Sequence, residues 1–191
     1  RRSSPNEALC RQRDENNILS TPMTCRSAMR KLIYATLAMM LCVHLSAQTK
    51  TFKGAWFEVS YPDAFTAKGS LPSSTTEEKG FDSAFFISPD GDVEFYIFSP
   101  QWDGEATDIA LKPNEREAGR QVKETKTQTI TYLTISAKDG SYTRSYQETF
   151  HKLENTRWIV GIKYRNQEAY NRYKKAYLAF KASLLQFTDG L

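Results

Sequence analysis

Between residues 54 and 61, GAWFEVSY, apolar side chains fall at every second position, with Ala55, Phe57, Val59 and Tyr61 on one side and Trp56, Glu58 and Ser60 on the other. That period of two is the mark of a strand with one buried face. Pro62 has no amide proton for a ladder and predicts the strand's end. Lys68 to Gly80 is rich in Ser, Thr and Gly and reads as a surface loop. From Phe81 the apolar pattern resumes as FDSAFFIS, followed by Pro89-Asp90-Gly91-Asp92 and VEFYIFS. Two aromatic runs around a Pro-Asp-Gly turn predict a β-hairpin.

Residues 100–126 carry no clean stripe. Gln101-Trp102-Asp103-Gly104 reads as a turn, and Pro113 to Val122 suits either a short helix with Pro113 in its first turn or an irregular crossing. Three further strands are expected at Thr129 to Ala137, Ser141 to His151 and Arg157 to Tyr164, separated by Lys138-Asp139-Gly140 and Glu154-Asn155. A meander of sequential antiparallel neighbours is the simplest arrangement of them.

The pattern then changes period. Tyr170, Tyr173, Tyr177, Phe180, Leu184 and Phe187 recur three or four residues apart, which places six large groups on one side of a helix of about six turns. Asn166 is placed to cap it and Glu168 lies near its positive end. The fold class predicted is α+β: a twisted antiparallel sheet of about five to six strands packed against a long C-terminal helix.

Upstream of residue 48 the composition differs. Met29-Arg30-Lys31, the apolar run Leu32 to Leu45 and then Ser46-Ala47-Gln48 have the layout of a secretory signal peptide. The run is shorter than the roughly 20 apolar residues that span a bilayer. The expected organisation is a mis-started or non-native extension over 1–28, a signal peptide over 29–47 and one exported α+β domain over 48–191. Cys42 sits inside the apolar run without a small-residue lipid-attachment box, so no lipid anchor is expected. The expected location is periplasmic or extracellular, with no stable membrane span after cleavage.

That division changes the charge balance and the available chemistry. The whole chain carries a formal net charge of +4, yet residues 48–191 hold 19 Lys and Arg against 19 Asp and Glu. A nucleic-acid partner is therefore not expected. Cys10, Cys25 and Cys42 all precede residue 48, which leaves the later segment no thiol nucleophile, thiolate metal site or disulfide. His151 is the single histidine after residue 48, at the end of an expected strand, and no metal or other cofactor is expected. Asp90 and Asp92 read as turn chemistry before they read as cation ligands.

Two groups remain as candidate ligand-binding residues. Trp102, Asp103, Glu105 and Asp108 place an aromatic face beside several acids, which suits a sugar or a peptide. A pair of those acids would also meet the formal requirement of a glycosidase. Tyr142, Arg144 and Tyr146 share one strand face, which allows stacking or anion binding, with cross-strand pairing of Arg144 as the plainer alternative. Two classes of function follow: a non-catalytic exported accessory or binding module for an envelope protein or small ligand, and a carbohydrate-directed hydrolase using acids near Trp102.

The opening Phe57-Glu58-Val59-Ser60-Tyr61-Pro62-Asp63-Ala64-Phe65, the aromatic hairpin, the tyrosine-rich strands and the helix end Phe180-Lys181-Ala182-Ser183-Leu184 together resemble a group of small exported bacterial proteins. Their fold is like that of PsbP, the extrinsic photosystem protein, and of the periplasmic protein DcrB. The resemblance spans most of residues 52–187. It implies an antiparallel sheet covered by helices and an accessory or binding role, and it transfers no catalytic residue to any position here.

Overall fold

Period-two segments need partners for their backbone groups and a cover for their apolar faces, and both requirements are met by two antiparallel sheets and one helix. The computed structural model describes residues 48–74, 80–101 and 103–187. The expected extension and leader therefore lie outside the described residues, as does Trp102. The smaller sheet has the order β1-β2-β10, formed by Thr49–Lys53 (β1), Phe57–Pro62 (β2) and Leu185–Gln186 (β10). The larger contains Thr66–Gly69 (β3), Ser83–Ile87 (β4), Val93–Phe98 (β5), Glu115–Glu124 (β6), Gln128–Ala137 (β7), Thr143–His151 (β8) and Thr156–Tyr164 (β9). Its order is β3-β4-β5-β9-β8-β7-β6, with every neighbour antiparallel. Two meanders thus meet at the β5–β9 pair.

The hairpin of β4 and β5 forms where the Pro-Asp-Gly turn predicts it. Ser88 Oγ donates to Asp90 Oδ1 at 2.6 Å, the Asp92 N–H donates to the same oxygen at 3.1 Å, and Gly91 takes the positive φ of 70° that the turn requires. Arg172 and the Tyr173 hydroxyl close on Asp90 Oδ2 at 2.8 and 2.9 Å. The Ser88 hydrogen bond is the main cause that holds the Asp90 carboxyl at about 2. One oxygen of Asp90 thus closes the turn and the other fastens it to the helix that follows β9.

The helix, Gln167–Ala182 (α1), is capped by Asn166, whose side chain accepts from the Ala169 N–H at 2.9 Å. It is shorter than the aromatic spacing predicts. At Ser183 the N–H bonds back to the carbonyls of Ala179 and Phe180, and Ser183 Oγ accepts from the Ser60 N–H at 2.9 Å. The chain then leaves as β10 along β2. Leu184 still packs against the core although it lies beyond the helix.

Further differences lie at strands exposed to water. The Pro113 to Val122 segment is no helix: Glu115–Glu124 is the edge strand β6, with a register shift between Glu117 and Gly119. Every residue of β6 after Glu115 is exposed, so no alternation of apolar and polar side chains announces it. Strands β1 and β3 are likewise short or exposed.

The main core lies between β2, the inner face of the larger sheet and α1. Phe180 is at its centre, 1% exposed, with its ring 5.1 Å from Phe86 and 5.2 Å from Phe95. Tyr61 and Phe65 close the same aromatic cluster against Phe86 and Phe95. We expect Phe180→Ala to cost about 3–5 kcal/mol in urea denaturation. The helix neighbour Leu178, which is exposed, should lose no more than about 0.5 kcal/mol on change to Ala. Equal small losses at both positions would contradict this placement of the core.

A candidate binding cleft on the outer face of the sheet

Strand β5 also presents Glu94, Tyr96 and Phe98 to the outer face, where Tyr96 and Phe98 are buried. Part of their cover is Ala106 and Ile109, on the crossing segment, the described residues 103–114 that lead to the edge strand β6. A single 3-10 turn at Thr107–Ile109 interrupts it. This turn sets Asp108 over β4 and β5. Ser83 Oγ donates to Asp108 Oδ2 and the Tyr96 hydroxyl donates to Asp108 Oδ1, both at 2.6 Å. Burial and this acceptor together push the Tyr96 phenol far up, so it stays a donor.

The end of the crossing segment is secured by Arg144 on β8. Arg144 is 3% exposed, and its guanidinium donates to the Ile109 and Ala110 carbonyls at 3.2 and 3.3 Å, to the Tyr146 hydroxyl at 3.0 Å and to Glu115 Oε2. Glu115, at the start of β6, is also 3% exposed. It accepts in addition from the Tyr142 hydroxyl at 2.7 Å and the Lys112 N–H at 2.9 Å. Burial opposes the ionisation of Glu115, but these donors and the Arg144 charge outweigh it and hold its carboxyl below the usual range. Only the Nε–H of Arg144 lacks an acceptor among the described residues.

Gly161 on β9 makes room for this arrangement. It lies between Tyr96 and Tyr146 in register, and a Cβ there would come within 2.2 Å of the Tyr146 ring. The two tyrosine rings meet edge to face over the glycine, 5.8 Å apart at 86°. Burial pushes the Tyr146 phenol up to about 12.

Beside this network the outer face is open. A cleft of about 210 Å³ is bounded by Lys68, Phe85, Ile87, Glu94 and Lys163 on the sheet and by Lys112 on the crossing segment, with Asp108, Tyr142, Arg144 and Tyr146 along its inner side. A second depression of about 320 Å³ adjoins it, sharing Ile87, Glu94, Tyr142 and Lys163. Lys163 Nζ stands 5.0 Å from the centre of the Tyr142 ring, a cation–π contact.

The candidate residues of the sequence thus separate into two places. Asp108 joins Tyr142, Arg144 and Tyr146 at the cleft. Asp103 and Glu105 lie elsewhere, with Gly104 and Arg157 around an open depression. Asp103 accepts from Arg157 Nε at 2.5 Å, and the same arginine holds Glu148. Asp82 borders the adjoining hollow; burial raises its carboxyl, and its Oδ1 has no hydrogen-bond partner among the described residues. The alternation that runs from Tyr142 into β8 places Tyr142, Arg144 and Tyr146 together, but nothing local points to Glu115 or to the three lysines. Their proximity comes from strand order.

No family model matches the chain, and no curated protein matches it in sequence. Its structure is similar to the solution structure of cyanobacterial PsbP (CyanoP) from Synechocystis sp. PCC 6803, with a TM-score of 0.44 and 8% identity over 76% of this chain and 96% of that one. It is also similar to the Saccharomyces cerevisiae Ran-binding protein Mog1p, with a TM-score of 0.37 and 10% identity over 75% of this chain and 97% of that one. These similarities concern overall architecture and say nothing about the cleft. Among the described residues no three His, Cys, Asp or Glu side chains are grouped to hold a metal ion, and no helix is long and apolar enough to cross a membrane.

A buried ion pair is costly to break from one side. Arg144→Met and Glu115→Gln should each destabilise the fold by about 3–5 kcal/mol, whereas Arg144→Met combined with Glu115→Leu should recover much of that loss. The Glu115 carboxyl is held below its ordinary 4.5 in the folded state, so its stabilisation is complete above about pH 4.5 and is lost as the pH falls through the lower folded value. Stability measured by urea denaturation between pH 3 and pH 7 should therefore fall less steeply with acid in Glu115→Gln than in the parent. Parallel acid limbs would refute the assignment.

Proposed function

We propose that this chain is an exported, non-catalytic binding module for a small ligand, and that the ligand sits in the cleft of the outer sheet face. One observation carries the reading: a concave site with an apolar wall, Phe85 and Ile87, stands directly beside a closed hydrogen-bond network that fixes its floor. Such preorganisation lowers the ordering cost of binding. The signal-like segment upstream supports an envelope setting, where an accessory protein would meet its ligand.

The hydrolytic alternative finds less support. Glycoside cleavage needs two carboxyl groups facing a substrate, one to donate a proton and one to act as base or nucleophile. Asp108 spends both oxygens on Ser83 and Tyr96, and Asp103 is ion-paired with Arg157. Glu105 is the exposed carboxylate left from that group.

A fragment library titrated into the chain and followed by backbone amide NMR tests the proposal. Hits should perturb the amides of Phe85, Ile87, Tyr142 and Lys163 together. Hits collecting instead around Asp103 and Glu105 would move the site to the Trp102 loop and overturn it.

A further inference from the structure

The charges around the cleft differ in how far they are already engaged. Asp108 and Glu115 each accept two or more hydrogen bonds from groups of the protein itself, and the Arg144 charge is matched by Glu115. The ammonium groups of Lys68, Lys112 and Lys163 have no carboxylate within ion-pair distance among the described residues. Lys68 and Lys112 are exposed, on β3 and on the crossing segment respectively. Among the described residues Glu94 is the carboxylate of the cleft without a hydrogen-bond donor, and it lies directly across the β5–β9 ladder from Lys163. A ligand entering the cleft therefore meets an excess of free positive charge above an apolar wall.

We infer that the cleft takes a small organic carboxylate with an aromatic or branched apolar body. The carboxylate lies among Lys68, Lys112 and Lys163, and the body lies against Phe85, Ile87 and the Tyr142 ring. The paired Arg144 holds the crossing segment in place and is not the anion's direct partner. This assignment rests on the proposed binding role and specifies the ligand class for the same site. The cleft volume of about 210 Å³ has room for a simple acid. Both halves of the site are needed: an ammonium group selects charge, and the Phe85–Ile87 wall selects an apolar body.

Three probes separate these contributions in the full chain at low ionic strength: benzoate, the neutral isostere benzamide, and acetate, which keeps the charge and lacks the ring. Benzoate should shift the amides of Phe85, Ile87, Tyr142 and Lys163 saturably, and benzamide and acetate should each bind roughly fivefold or more weakly. Lys112→Gln, at an exposed position, should weaken benzoate roughly fivefold and benzamide by a smaller factor, so that the preference for the charged probe falls. Benzamide binding as well as benzoate would overturn the carboxylate assignment and leave the binding cleft standing. Acetate binding as well as benzoate would remove the apolar body. No saturable shift from any probe would overturn the assignment, and if the fragment library also avoids these residues the binding role falls with it.

Discussion

Strand β5 is out of water on both of its faces, and much of the architecture follows from that. Val93, Phe95 and Ile97 face one way and Tyr96 and Phe98 the other, all nearly fully buried. One layer cannot shield both sides of a strand. The inner face is closed by α1 and by the three-stranded sheet through an aromatic cluster centred on Phe180. The outer face is closed by a segment with almost no secondary structure of its own. These two covers are held by different physics, and the difference places the cleft.

The inner cover is held by area. Burying a side chain the size of Phe180 contributes about 3 kcal/mol, and the contact is tolerant of small shifts because dispersion has no direction. The outer cover has few apolar groups to offer and depends on directional bonds instead. Asp108 fastens it to Ser83 and Tyr96, and Arg144 holds its last turn by two carbonyls before Glu115 starts the edge strand. A buried ion pair is a poor source of net stability, but it penalises every arrangement in which either partner lacks the other. In a segment whose described residues have one 3-10 turn and no ladder bonds, that penalty selects one conformation. Because the fastening groups lie under the segment, the sheet beside it stays open and firmly shaped.

How much of this could be read in advance depends on whether the information is local. The hairpin at Pro89-Asp90-Gly91, the strands around Lys138-Asp139-Gly140 and the Asn166 cap are set by neighbours in sequence, and the α+β class follows from them. Strand β6 carries no such local signal, because its side chains, from Arg116 onward, face water on both sides, and an edge strand of that kind needs no alternation. The apolar spacing predicts too long a helix because Leu184 and Phe187 continue it after Ser183 has turned the chain toward β2. At the cleft, the period of two grouped Tyr142, Arg144 and Tyr146, but the partner of Arg144 is 29 residues away and two strands over. Asp108 lies close to Asp103 in sequence, yet the 3-10 turn sends its carboxylate to β4 and β5. Pairings of this sort are products of topology and leave no mark on a short window of residues.

The same commitments bear on what the protein can do chemically. A catalytic carboxyl must exchange a proton with its substrate, which requires an oxygen not already saturated by donors of the protein. Asp108, Glu115 and Asp90 have each given their oxygens to internal donors, and the fold would have to break its own fastenings to release them. The ammonium groups of the exposed Lys68 and Lys112, on long flexible stems, impose no such conflict. On this face Asp108 and Glu115 are structural, while Lys68 and Lys112 stand exposed with no ion-pair partner among the described residues, and the proposed anion site rests on that difference. This asymmetry, arising from the need to cover β5 twice, is the physical basis for reading the outer face as a place of binding.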